Sequence, residues 1–90
     1  MVLSEEERTL VEVGRVSHYF AKISVAVIEL NAPLAVGDRI LIRGSTTDLE
    51  QVVESMQIEH ANVQRAEAGQ SIGLKLDDRV RENDTVYKLT

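Results

Sequence analysis

Short runs in which apolar and polar residues alternate most constrain how this chain folds. The clearest are RILIRG at residues 39–44 and SIGLKL at residues 71–76. Alternation with a period of two indicates strands that bury one face. Further short strands are expected at residues 9–16, 22–30 and 85–89. Six or so such strands, separated by Gly, Asn or Asp turns, predict a small barrel or sandwich.

The core residues can be predicted from the same alternation. The sequence has no Trp, one Phe and two Tyr, so the core is expected to consist of Val, Ile, Leu and Ala, which favours strands. The inward-facing residues of the two clearest runs are predicted to be Ile40, Ile42, Ile72, Leu74 and Leu76.

Residues 44–58, GSTTDLEQVVESMQI, can be read in two ways. Thr47 and Glu50 have the spacing of a capping box, and a helical face would collect Leu49, Val52, Val53 and Met56. The Thr and Val residues favour a strand instead, and no Gly or Pro follows Ile58 to end a helix. The spacing alone slightly favours the helix.

Length and composition predict one small intracellular domain. Ninety residues suffice for one core, so residues 9–90 are expected to form one domain after a flexible acidic tail at residues 1–8. The absence of Cys excludes disulfides and thiolate metal sites. MVLSEEER does not resemble a signal peptide, and ISVAVIEL is too short to span a bilayer. A cytoplasmic protein without membrane contact is expected.

The formal net charge of −5 argues against a general nucleic-acid-binding protein. The sign nevertheless changes along the chain, from a net +2 over residues 15–43 to a net −4 over residues 44–67. This pattern is typical of an ordinary solvated surface. The alternative is a small basic face that touches RNA locally.

No motif predicts catalysis, a metal site or a cofactor. The P-loop pattern that would cradle nucleotide phosphates is absent, so no nucleotide is expected to bind. His18 and His60 are the only histidines, and neither has the further ligands at fixed spacing that a metal site needs. Ser17 precedes His18, but no nucleophile elbow surrounds it. The chain is expected not to be an enzyme.

The stretch SHYFAK at residues 17–22 places two aromatic residues among bases. Tyr19 and Phe20 lie between Arg15, His18 and Lys22, an arrangement that could stack single-stranded nucleic acid. The simpler interpretation is that Phe20 fills the core and Tyr19 covers one end of the barrel.

Over residues 12–89 the sequence resembles the second domain of translational GTPases such as elongation factor Tu. The resemblance lies in LAVGDRILIRG, VESMQIEHANVQRAEAGQSIGLKL and RENDTVYKL, where the family's turn and strand positions match Leu34, Val36, Gly37, Asp38, Gly44, Val53, Met56, Ala66, Gly69, Ile72, Gly73 and Leu74. The chain also looks like stand-alone elongation-factor-like proteins and the C-terminal modules of some collagenase-like peptidases, in which a stretch like VSHYFAKISVAVIEL is typical. The resemblance implies an all-β fold, a small closed antiparallel barrel of six to seven strands, in which residues 47–58 form one long strand.

Two functions follow from this resemblance. The first is a non-catalytic module without a GTPase domain that binds ribosomal RNA, tRNA or another translation component. Its expected contact residues are Arg15, His18, Tyr19, Lys22, Arg39 and Arg43. The alternative is a protein-binding or accessory domain, as in collagenase-like peptidases, with no RNA role. Such a domain is expected to be a monomer, or a weak homodimer formed through residues 47–58.

Overall fold

The structure is a computed structural model that describes residues 9–90, and these residues form ten β-strands and no helix. In chain order the strands are β1 Leu10–Phe20, β2 Val25–Leu30, β3 Leu34–Ala35, β4 Arg39–Arg43, β5 Asp48–Val52, β6 Met56–Ile58, β7 Ala61–Val63, β8 Arg65–Ala66, β9 Ser71–Lys75 and β10 Thr85–Leu89. The described part therefore offers no helix that could cross a membrane. The all-β prediction is confirmed, whereas the tail predicted at residues 1–8 lies outside the described residues.

Eight of the strands form one curled antiparallel sheet, in the order β5-β4-β10-β1-β2-β9-β6-β7, and β3 pairs with β8 separately. Within residues 9–90 this sheet does not close on itself, because β5 and β7 remain its edges. The closed barrel of six to seven strands is therefore not found.

Residues 44–58 form two strands and no helix, so the expectation of a strand is confirmed but that of one long strand is wrong. β5 pairs with β4, whereas β6 pairs with β7 and β9. Between them the N–H of Val53 donates to the carbonyl of Asp38, and the carbonyl of Val53 accepts from the N–H of Gly37, so the contact with the segment before β4 continues for one more residue. Val53 and Met56 are buried in the core. These two side chains are therefore not available for the homodimer contact expected from this segment.

The core lies inside the curl of the sheet and is built from aliphatic side chains. The predicted inward residues Ile40, Ile42, Ile72, Leu74 and Leu76 are all buried. They pack in one cluster with Val13, Val16, Ala26, Ile28, Leu30, Leu34, Val53, Met56, Ala66, Val80 and Val86. Tyr19 packs against this cluster from its edge.

The side chain of Gln51 connects β5 and β9, two strands that are not paired with each other through backbone hydrogen bonds. Its Nε2 donates to the carbonyl of Lys75 at 3.1 Å, and its Oε1 accepts from the N–H of Asp77 at 2.8 Å. The amide thus connects the edge strand β5 to the end of β9 as a peptide group of a neighbouring strand would. One side chain thus links the edge strand β5 to β9, an interior strand that lies between β2 and β6 in the sheet.

Replacing Gln51 by alanine should lower the free energy of unfolding by about 1–2 kcal/mol, because two hydrogen bonds to backbone groups are lost together. Urea titration followed by circular dichroism measures this change. Gln57→Ala is the matched control, because the Gln57 amide bonds the exposed side chain of Asn62 at 3.3 Å. The control should change stability by less than about 0.5 kcal/mol. Equal effects of the two variants would contradict the bridging role.

Candidate interaction groove

An apolar groove crosses the outer face of β1, β2 and β9. Phe20 and Ile23 are 46% and 60% exposed, although both are large hydrophobic residues. Half-buried Val25 and Val27 continue the apolar surface along β2. The groove has a volume of about 530 Å³ and is lined by Phe20, Ile23, Val25, Val27, Gln57, Glu59, His60, Ser71, Ile72 and Gly73. We call these residues the apolar groove.

Strand register explains why these side chains meet on one side. Phe20 lies opposite Val25, which lies opposite Lys75. Side chains in register share one face of a sheet, so this row points outward. The residue between Val25 and Val27, Ala26, points into the core and is fully buried. β2 is thus apolar on both faces.

Gly73 forms the floor of the apolar groove. Gly73 is on β9, where it lies opposite Val27 of β2 on one side and Gln57 of β6 on the other. A Cβ atom at this position would lie 3.6 Å from Val25 Cγ1 and 4.0 Å from the carbonyl oxygen of Gln57, which is ordinary contact. Because residue 73 is a glycine, the floor of the groove has open space that a larger side chain would fill.

One wall of the apolar groove is a two-residue turn in an unusual conformation. Glu59 and His60 join β6 to β7 with φ of 49° and 68°. Two successive positive φ values define a type I′ hairpin turn, for which Asn-Gly is the preferred sequence. A left-handed conformation costs a residue with a Cβ atom roughly 1 kcal/mol. Backbone strain of this kind is often kept at binding sites.

The double variant Glu59→Asn, His60→Gly should therefore raise the free energy of unfolding by about 1–2 kcal/mol. Thermal unfolding followed by circular dichroism measures the gain as a higher Tm. Glu54→Asn is the control, because Glu54 is also exposed but does not have positive φ. An unchanged Tm in the double variant would show that the turn is not strained.

Opposite charges stand at the two ends of the apolar groove. At one end Ser71 Oγ donates to Glu29 Oε2 at 2.6 Å, and Glu59 lies nearby on the wall. At the other end Lys75 is in register with Val25, and Lys22 lies in the turn between Phe20 and Ile23. Neither lysine has an ion-pair partner among residues 9–90.

The arginines expected to contact RNA lie elsewhere. On β4, Arg39 Nη1 lies 3.1 Å from Glu50 Oε2, and Arg43 Nε lies 3.8 Å from Asp48 Oδ1. Arg15 on β1 is separated from Arg43 by Thr85 of β10. The arginines of β4 are thus matched by carboxylates of β5, as the interpretation of an ordinary solvated surface predicts.

Of the two aromatic residues of SHYFAK, Phe20 does not fill the core as the simpler interpretation expected. Tyr19 packs against the core, whereas Phe20 is exposed in the apolar groove. His18 contacts the Phe20 ring edge-on, with 4.4 Å between ring centroids, and its Nδ1 lies 3.2 Å from Glu82 Oε1. Lys22 is exposed. Since Tyr19 faces the core, the six residues expected to bind RNA do not share one surface.

The residues that sequence reasoning missed are Ile23, Val25, Val27 and Gly73. One signal was available. In VAVI, residues 25–28, the positions on both faces are apolar. In a small antiparallel sheet one face normally meets water, so an apolar outer face indicates a contact surface. The described residues contain no group of three His, Asp or Glu that could hold a metal ion.

Comparison with known proteins relates this chain to parts of proteases. It is 51% identical over 80 residues to an uncharacterized protease of Methanocaldococcus jannaschii, a match that covers 88% of this chain and 20% of that protein. It is 35% identical over 83 residues to a collagenase of Porphyromonas gingivalis, covering 90% of this chain and again 20% of the relative. The chain thus spans about one fifth of the length of these relatives. No family model matches it.

A solved structure supports the fold. The C-terminal domain of a Geobacillus thermoleovorans protein described as a U32 peptidase superposes with a TM-score of 0.81 and 19% identity, over 86% of this chain and 90% of that one. At this identity the likeness establishes the fold alone. The two sequence relatives are named as a protease and a collagenase, not as translation factors, so the prediction of a translation protein is wrong. The matches favour the alternative, an accessory module.

Proposed function

We propose that this chain is a non-catalytic accessory domain that makes polypeptide contacts beside a peptidase. The match to one fifth of two proteases, over nearly the whole of this chain, carries the proposal. Because the matching segment makes up only one fifth of each relative, the remaining four fifths are long enough to contain the catalytic domain. The apolar groove is the surface that we assign to the contact.

Exposure of large apolar side chains supports this assignment. Phe20 and Ile23 both line the apolar groove, together with Val25 and Val27. Contiguous exposed apolar patches on soluble proteins commonly mark interaction sites. Aromatic residues in such patches contribute strongly to binding when a partner covers them.

The positions of the potential nucleophile and base support a non-catalytic role. Ser17 Oγ donates to the main-chain carbonyl of Val27 at 3.2 Å, whereas His18 Nδ1 lies against Glu82. The two side chains thus engage separate partners, and a serine nucleophile requires a base within hydrogen-bond reach.

The proposal is tested by assaying the purified chain with fluorescein-labelled casein. We expect no release of labelled peptides above the buffer blank. Cleavage that persists through purification and is abolished by Ser17→Ala or His18→Ala would overturn the non-catalytic assignment.

A second test uses the Porphyromonas collagenase with and without its 83 matching residues. We expect the deletion to lower cleavage of protein substrates about tenfold or more, and cleavage of a short peptide less than about twofold, because a remote binding surface serves only long substrates. Equal losses on both substrates would contradict an accessory role.

A further inference from the structure

We propose that the apolar groove holds an extended polypeptide segment with an apolar centre and a basic residue at the Glu29 end. This inference rests on the proposed function and names the class of ligand that the domain contacts. It is carried by the shape of the groove, by its lining and by the charges at its ends.

The length of the groove matches a short extended segment. Val25 and Val27 of β2 line it, and Glu29 stands two residues farther along the same strand, about 13 Å from Val25 at about 3.3 Å per residue. About four residues of an extended chain cover the same distance. Phe20 and Ile23 line one side, and the turn of Glu59 and His60 lines another. A cleft of about 530 Å³ lies within the range of ligand-binding sites.

The charges select the orientation of the segment. The centre of the groove is formed by Val25, Val27 and Gly73 and carries no charge. At the acidic end, Glu29 Oε2 accepts from Ser71 Oγ at 2.6 Å and lies 3.5 Å from Ser17 Oγ. The bond from Ser71 holds the carboxylate in place, and within residues 9–90 its Oε1 has no hydrogen-bond partner. A lysine or arginine side chain of the ligand can therefore bind Oε1 without displacing the serines.

A second copy of this chain fits the groove less well. A symmetric contact through Phe20 and Ile23 would bring Lys22 of both copies together, because Lys22 lies between these residues in the chain. Like charges brought together at an interface are unfavourable. The net charge of −5 on each copy adds to the repulsion.

Fluorescence anisotropy with a labelled peptide tests the inference. The probe is fluorescein-labelled Lys-Leu-Val-Leu-Glu-amide, compared with the same peptide carrying Ser at its three central positions. We expect saturable binding of the apolar peptide and at least about tenfold weaker binding of the serine peptide. Replacing the probe's Lys by Glu should weaken binding up to about fivefold, and Glu29→Gln should remove this difference.

Two variants at Gly73 test whether the groove is the site. Gly73→Val should weaken binding of the apolar peptide about tenfold or more, because its methyl groups fill the floor, whereas Gly73→Ala should change it less than about threefold. Val favours strands, and circular dichroism checks that the variant is folded. Ile23→Ser, at a site 60% exposed, provides a second variant that removes apolar contact without a core defect.

Three outcomes would overturn the inference. They are no saturable binding, binding unaffected by both Gly73→Val and Ile23→Ser, and a dimer in sedimentation equilibrium that Ile23→Ser dissociates. None of them depends on the casein assay. The chain can be inactive on casein, as proposed, while the peptide fails to bind, and the two failures are therefore distinguishable.

Discussion

Replacing Gly14 by alanine is expected to lower the free energy of unfolding by about 3 kcal/mol. Gly14 lies on β1, the strand held between β10 and β2, at a break in register where a bulge follows Glu12. An added Cβ would lie 2.5 Å from the carbonyl oxygen of Glu29 and 3.0 Å from Ile28 Cγ2. The carbonyl belongs to a paired strand, so it can move away only if the ladder beside it is distorted.

Gly73→Ala is the control for this substitution, because a Cβ there meets only ordinary contacts. Both positions are in interior strands of the same sheet, so the loss of glycine flexibility is similar in both. Gly73→Ala should be neutral or stabilise by up to about 1 kcal/mol. Chemical denaturation measures both variants. A Gly14→Ala protein within about 0.5 kcal/mol of the parent would show that the two strands are not packed as closely as described.

Replacing Gly44 by alanine should destabilise the fold by about 2–3 kcal/mol, through a different contact. The added Cβ would overlap the carboxylate of Asp84. Asp84 is 6% exposed and is fixed from both sides. Its Oδ2 accepts from the N–H of Arg81 at 2.8 Å, and its main-chain oxygen accepts from Val16 at 2.9 Å. The carboxylate therefore has little freedom to move aside.

A double-mutant cycle with Asp84→Ala tests this explanation. Asp84→Ala alone should cost about 1–3 kcal/mol, because the buried acceptor of Arg81 is lost. Once the carboxylate is absent, Gly44→Ala should cost at least about 1 kcal/mol less than in the parent. Additive effects, measured by urea unfolding of the four proteins, would show that the two residues do not meet.

Strict alternation made part of the fold predictable. The runs at residues 39–44 and 71–76 contain the strands β4 Arg39–Arg43 and β9 Ser71–Lys75, and their predicted inward residues are buried. The spacing within residues 44–58 was less informative, because the segment joins two strands that pair with different neighbours. Val53 and Met56 are buried on either side of that connection, and their separation of three residues imitates a helical face. That the sheet stays open was also not predictable, because alternation within single strands does not show which strands pair.

The position of the groove could not be predicted because of a bulge in β1. Val16 is fully buried, so simple alternation would bury His18 and Phe20 and expose Tyr19. The register shifts between Val16 and His18, and this shift reverses the faces beyond it. Tyr19 turns to the core, and Phe20 turns to the surface. The one extra residue thus places the Phe20 side chain in the apolar groove, and it turns Tyr19, one of the predicted RNA contacts, toward the core.

The resemblance to translation factors rested on turn and strand positions such as Gly37, Gly44 and Gly69. These residues determine where the chain bends, and they correctly indicated an all-β fold. They do not determine which side chains cover the outer face, and function depends on those side chains. The arginines of β4, which motivated the RNA hypothesis, are matched by Glu50 and Asp48.

Amide chemical-shift mapping tests the central claim, that the apolar groove is the surface that contacts polypeptide. The ¹⁵N-labelled chain would be titrated with reduced, carboxymethylated α-lactalbumin, which is an unfolded protein. We expect shift changes at Phe20, Ile23, Val25, Val27 and Gly73, which Gly73→Val abolishes. Changes confined to Arg39 and Arg43 on β4, or no changes at any concentration, would contradict the claim.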